Sequence, residues 1–398
     1  MKKALVVLLA LALVGGAFAD APVANVDVAE FSGSATVTWG VDLDNDNKTG
    51  FKNDASATFK VNIADGGSAA TEGDGVWGEI EIKVGDALVV KQGALDGGKA
   101  EVKKALLHLG PVYMGILADG TKIGAYAAPE AIKQYHETDE VGEDKTQGVV
   151  FGYDSDLFNV AVDFRSVAKY NDDYAIRAKL GLKPIDGLEA NVGFSYAFES
   201  KVKGLGANVS YALPVGEFTL KPGLGYSTSL GDNEKGILAI GLLFGFNAGD
   251  TGDDPVGLPY FDKDDLNKKG VSGVSVSTKL NLSQEDMIIP LTVGLYTGDI
   301  VENLTAAFVL NSADVSKIGD NFEVAAALKY AAAVGDGTIT PQAGVKVVND
   351  ASLEATVGAK FAGFVDNTTF DAVWKSGNLK AEPDAKMGTF NVSVKIAL

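Results

Sequence analysis

The sequence predicts an all-β fold, a transmembrane antiparallel β-barrel of about 18–20 strands (range roughly 16–22). Three observations carry the prediction. First, apolar residues fall at every second position. Leu188, Ala190, Val192, Phe194, Tyr196 and Phe198 alternate with Glu189, Asn191, Gly193, Ser195, Ala197 and Glu199, and Ala351–Phe361 repeats the pattern. Successive strand side chains point to opposite faces, so each segment has one greasy and one wet face. Second, Phe158, Tyr174, Phe198, Phe322, Tyr330, Phe361, Phe370 and Phe390 gather near strand ends on the apolar face, as interfacial aromatic girdles do. Third, the pattern continues without a domain break. A soluble sandwich also alternates, but this chain holds too many strands for one.

The elements follow in order. Residues 1–19 read as a signal peptide: Lys2 and Lys3, the apolar stretch Ala4–Val14, then the small-residue cleavage site Ala17-Phe18-Ala19. The mature chain is expected to begin near Asp20. Residues 20–150 hold clear strands at Ser34–Leu43, Ala55–Ile63 and Val76–Val84. Shorter strands are expected near 87–92, 101–109, 112–117 and 121–126. This region is read as barrel strands, with a periplasmic domain as the alternative. Residues 151–398 form the C-terminal barrel region, with turns such as Pro184-Ile185-Asp186-Gly187 built from turn-forming residue types. The longest greasy run after the signal, Ile237–Phe246, is about half the length of a membrane-spanning helix and reads as a strand.

Composition narrows the function. Losing Lys2 and Lys3 takes the formal net charge from −19 to −21, which argues against nucleic acid as a partner. With no cysteine, disulfides, thiol catalysis and thiolate metal sites are excluded. There are two histidines. His108 sits in a strand-like run as a packed or lumenal residue, and His136 sits in an acidic loop. No nucleophile elbow, Walker or dinucleotide motif is present, so neither an enzyme nor a cofactor is expected. Asp42-Leu43-Asp44-Asn45-Asp46-Asn47-Lys48 spaces oxygen ligands as calcium loops do. It has Asn47 where the turn glycine belongs and Asn53 where the bidentate glutamate belongs. It reads as a polar hairpin, and no metal is expected.

Two long acidic loops, Ala128–Gln147 and Gly249–Gly270, are both expected to face outward. The second follows Ile237–Phe246, which is apolar on both faces. With Leu238, Ile240, Leu242, Phe244 and Phe246 facing lipid, Ile237, Ala239, Gly241, Leu243 and Gly245 would face the lumen. Such a patch needs a cover, and Leu258, Tyr260 and Phe261 are the candidates for a constriction loop. Alternatively, this strand lies at a subunit interface. The wet faces supply candidate pore-lining residues: Arg177, Lys179, Lys183, Glu189, Glu199, Glu323, Lys329, Lys346, Glu354, Lys360, Asp371, Lys375 and Lys395. Charges of both signs give a weak transverse field. The acidic loops suggest a mild cation preference, to be read from reversal potentials in a salt gradient.

The stretch Ser32-Gly33-Ser34-Ala35-Thr36-Val37-Thr38-Trp39-Gly40-Val41, then Lys48-Thr49-Gly50-Phe51, Gly75-Val76-Trp77-Gly78-Glu79-Ile80-Glu81-Ile82-Lys83 and Val112-Tyr113-Met114-Gly115, resembles the opening of the spirochaete (treponemal) major outer sheath proteins. The resemblance covers about the first 130 residues. It implies a surface-exposed outer-membrane porin in contact with lipid, reached by signal-peptide export and often a homo-oligomer, expected to be a trimer. Some members bind host extracellular matrix. The expected activity is passive diffusion of small hydrophilic solutes and ions. The alternatives are an adhesin whose barrel displays its loops and a plugged, non-conducting scaffold. The chain ends in Leu398 rather than the aromatic common at such termini.

Overall fold

A computed structural model describes residues 24–65, 76–85, 89–91, 94–96, 99–117, 147–166, 174–199, 201, 203–229, 236–246, 258–261, 272–282, 288–298, 300–319, 322–349, 351–382 and 384–397. The signal peptide, the 121–126 strand and most of both acidic loops lie outside them. The described strands are β1 (Ala24–Asp42), β2 (Lys48–Asp65), β3 (Val76–Gly85), β4 (Val89–Lys91), β5 (Ala94–Asp96), β6 (Lys99–Leu109), β7 (Val112–Leu117) and β8 (Gln147–Asp154). They continue with β9 (Phe158–Ser166), β10 (Tyr174–Leu182), β11 (Leu188–Ala197), β12 (Lys203–Tyr211), β13 (Leu213–Val215), β14 (Phe218–Ser229), β15 (Ile237–Phe246) and β16 (Ser272–Asn281). The last are β17 (Leu291–Gly298), β18 (Leu304–Ser312), β19 (Phe322–Tyr330), β20 (Ala332–Val334), β21 (Gly337–Val348), β22 (Ser352–Ala362), β23 (Thr368–Lys375) and β24 (Thr389–Ala397). β4 and β5 pair only with each other.

The remaining 22 strands form one antiparallel sheet that returns on itself: β1 pairs with β2 on one edge and with β24 on the other. β13 continues β12 along β14, and β20 continues β19 along β21. The wall is therefore a ring of twenty staves. Closure satisfies the backbone without leaving an edge, which is what allows strands to cross hydrocarbon. β1–β3 and β6–β8 are hydrogen-bonded into the same ring as the C-terminal strands.

Where side chains are described, the outward residues of the staves are mainly apolar and exposed or half-buried. On β15, Ile240, Leu242 and Phe244 face out while Ala239 and Leu243 are buried. Lys183 and Glu199 depart from the expected strands: β10 ends at Leu182 and β11 at Ala197, so both sit in exposed connections.

Antiparallel neighbours place alternate connections at opposite ends. One end carries the short turns 110–111, 155–157, 183–187, 216–217, 335–336 and 363–367, together with the first and last described residues, Ala24 and Ala397. The connection between β15 and β16, which holds Gly249–Gly270, also leaves from this turn end. The connection between β7 and β8, which holds Ala128–Gln147, leaves from the other. The expectation that both acidic loops face outward is therefore corrected, because they emerge from opposite ends of the barrel.

At the loop end, Asp44 in the β1–β2 turn clasps the seam. Its Oδ1 accepts from Met387 N at 2.5 Å and its Oδ2 from Gly388 N at 2.8 Å, while Leu43 N donates to Gly388 O. The calcium-like spacing thus serves backbone N–H groups of the connection between β23 and β24. Asn45 accepts from Lys48 Nζ at 2.9 Å.

Candidate pore wall and inward segment

The inner wall is not uniform. Along β9–β18, many inward side chains are withdrawn from solvent: Asp163, Arg177, Ser195, Lys221, Ser275 and Val309 are all buried. Along β21–β24 and β1, inward residues such as Gln342, Lys346, Glu354, Asp371, Ser393 and Thr38 are half-buried, and Lys360, Lys375 and Lys395 are exposed. The wetted part of the interior is therefore a sector, set off to one side.

Within this sector, Lys346 Nζ lies 2.9 Å from Glu323 Oε2 and faces Glu354 across the register. Asp371 faces Lys360, Lys375 faces Thr356, and Lys395 faces Thr369. Lys329 takes the same inward side of β19 as Glu323. Glu189 is exposed near the start of β11. Arg177 and Lys179 point inward on β10, but Arg177 is buried with its Nε 3.7 Å from Asp163 Oδ1. His108 is inward and meets Glu79 Oε1 at 3.0 Å, with Lys104 Nζ 2.6 Å from the same oxygen.

The segment 258–261 lies against the inside of the wall. Leu258 and Phe261 are buried in one apolar cluster with Leu243, Tyr296, Ala307, Val309, Ala325 and Ala327, and Tyr260 packs against it. The chain turns tightly, with Phe261 N donating to Leu258 O at 3.2 Å. Pro259 takes the second position and Tyr260 the third, at φ 67°. A positive φ there is usually met by Gly or Asn, and for Tyr it costs about 1–2 kcal/mol. Burial of Leu258 and Phe261, each about 1.5–3 kcal/mol, outweighs it. Thr356 Oγ1 donates to the Tyr260 hydroxyl at 3.1 Å, tying the segment to β22. Burial is the main influence on the Tyr260 phenol and raises its pKa above the ordinary 10.0; the Thr356 bond lowers it in part.

The seat is made of small residues. Ala307, Ala327 and Gly344 face one another across β18, β19 and β21. A Cβ on Gly344 would stand 2.7 Å from Pro259 Cβ. The sequence reading found the two-faced strand Ile237–Phe246 but not this floor. The signal was there: Leu304–Ser312 and Phe322–Tyr330 place Ala307, Val309, Ala325 and Ala327 on faces that are polar elsewhere. Lys221, Asp163 and Arg165 were missed as well; each sits on the polar parity of its strand.

The geometry defines a transmembrane antiparallel β-barrel with a partly hydrophilic interior and an internal segment. The chain is similar to major surface proteins of Treponema. It is 40% identical to the major surface protein MspTL of Treponema lecithinolyticum over 185 residues, which span 42% of this chain and 31% of that relative. It is 26% identical to the major outer membrane protein MspA of Treponema maltophilum, with all of both chains covered. No protein-family model matches. Among solved structures, Acinetobacter baumannii OccAB4 aligns over 93% of this chain and 98% of its own at 10% identity and a TM-score of 0.42. A Rhodopseudomonas blastica porin mutant aligns over 93% of this chain and 100% of its own at 13% identity and a TM-score of 0.38.

Proposed function

We propose that the chain is an outer-membrane porin through which small hydrophilic solutes and ions diffuse passively. The observation that carries the reading is the closed ring whose outer face is apolar while one inner sector is lined by water-accessible charges of both signs. The names of the Treponema relatives support the location. In this reading Lys346, Glu354, Lys360, Asp371, Lys375 and Lys395 line the passage, and Leu258, Tyr260 and Phe261 narrow it from beside β21 and β22, where Tyr260 meets Thr356. Alternating lysines and carboxylates make a transverse field that orients polar solutes without rejecting either sign strictly. Liposomes carrying the purified chain should swell in small sugars at rates that fall with solute size. Swelling no faster than in protein-free liposomes would remove the porin reading.

A further inference from the structure

Five of the six short turns, and the β17–β18 connection at the same end, share a feature that turn geometry does not require. Three of them, 185–188, 301–304 and 365–368, are closed by the N–H of the fourth residue donating to the C=O of the first, at 3.0–3.1 Å. Each has its third residue, Gly187, Asn303 or Asn367, at positive φ, the signature of a type II turn. Two others are two-residue hairpins, Gly216–Glu217 and Gly335–Asp336, with the glycine at positive φ, as type II′ turns require. The backbone's demand is met by those Gly and Asn residues alone. Yet the turns also carry a large, exposed apolar side chain: Leu157, Ile185, Val215, Val301, Val334 and Val365 are 45–61% exposed. Beside each stands an exposed acid: Asp156, Asp186, Glu217, Glu302, Asp336 and Asp366.

We propose that this rim docks in the lipid leaflet at the turn end, with the aliphatic side chains in the acyl boundary and the carboxylates in the adjoining water. The inference rests on the membrane reading and adds where the bilayer stops. Two further observations favour lipid over a protein partner. The apolar residues are spread around the ring from the β8–β9 turn to the β22–β23 turn rather than collected in one patch. Several staves are also short: β9, β10 and β18 have 9 residues each. At ~3.3 Å per residue and a tilt of ~40° such a strand covers ~23 Å, slightly less than the ~25 Å apolar band of an outer-membrane barrel. Residues beyond the strand ends must complete the band, and the turn aliphatics are placed to do so. At the loop end, the described β1–β2 turn is Leu43 followed by Asp44, Asn45, Asp46 and Asn47, and the exposed large apolar side chains among the described connection residues are Phe198, Ile288, Ile289, Val315, Ile318 and Met387.

The chain has no cysteine, so single cysteines can carry a spin label without background. Ile185→Cys, Val301→Cys and Val365→Cys would be labelled in the full chain and reconstituted in phosphatidylcholine vesicles. Leu242→Cys on the outer face of β15 serves as the lipid control and Lys380→Cys in the β23–β24 connection as the water control. Collision with oxygen relative to a water-soluble nickel complex reads the environment. The three turn labels should give a ratio several-fold above Lys380→Cys and approaching Leu242→Cys. Turn labels matching Lys380→Cys while Leu242→Cys reports lipid would overturn the rim and leave a protein partner as the explanation for the exposed aliphatics. Leu242→Cys itself reporting water would overturn the membrane reading and the rim with it.

Discussion

At Tyr260 three forces meet: an unfavourable φ, a hydrogen bond from Thr356 and the burial of its neighbours. Tyr260→Phe keeps the ring and removes the acceptor. It should weaken docking by about 0.5–1.5 kcal/mol and appear as more frequent conductance fluctuations in single-channel records. Tyr260→Gly would relieve the φ but lose the ring and should undock the segment further. Because burial raises the phenol pKa, docking should be constant below pH 10.0 and be lost as pH rises beyond it through the folded value. Conductance that does not change between neutral and strongly alkaline pH would contradict this. Asp314 behaves oppositely. The backbone N–H of Ser316 and further hydrogen bonds hold its carboxyl below the ordinary 3.8. The short helical turn Val315–Lys317 that it caps should keep its amide protection above that pH and lose it as pH falls through the depressed value.

At the scale of elements, the seat of the inward segment and the seam are separable. Gly344→Leu places a side chain where Pro259 lies. It should displace the segment and raise single-channel conductance while leaving the ring intact. Asp44→Ala removes both acceptors for Met387 and Gly388. The loss should be roughly 1.5–3 kcal/mol per charged hydrogen bond, less any compensation by water, and is measurable as a lower temperature for the loss of β structure in detergent. The seat was half legible in the sequence. Ile237–Phe246 declared itself because large residues occupy both faces. Ala307 and Ala327 did not, since alanine is ordinary on either face of a strand and acquires meaning only when Gly344 and Pro259 are seen against it. The side from which the segment enters was not legible at all. In an up-and-down barrel every missed or added strand inverts the end assigned to all later connections, and strand boundaries in 101–126 were not resolvable from pattern. Lys183 and Glu199 were misplaced for a related reason, since alternation continued through residues that the chain uses to turn.

For the whole molecule, twenty staves enclose an interior that is wet along one sector and withdrawn from solvent along the other. The passage proposed here is therefore off-centre and narrower than strand number alone implies. With Gly249–Gly270 leaving from the turn end, only Ala128–Gln147 of the two acidic loops is placed to act at the loop end. Neutralising acids there should reduce cation preference more at that mouth than at the other, as asymmetric reversal potentials would report. Whether water and ions pass through this ring is decided by single-channel recording of the purified full chain in planar bilayers. The predicted result is stepwise conductance of uniform size, increased by Gly344→Leu. A folded, membrane-inserted chain that gives no steps, and gains none from that substitution, would contradict it.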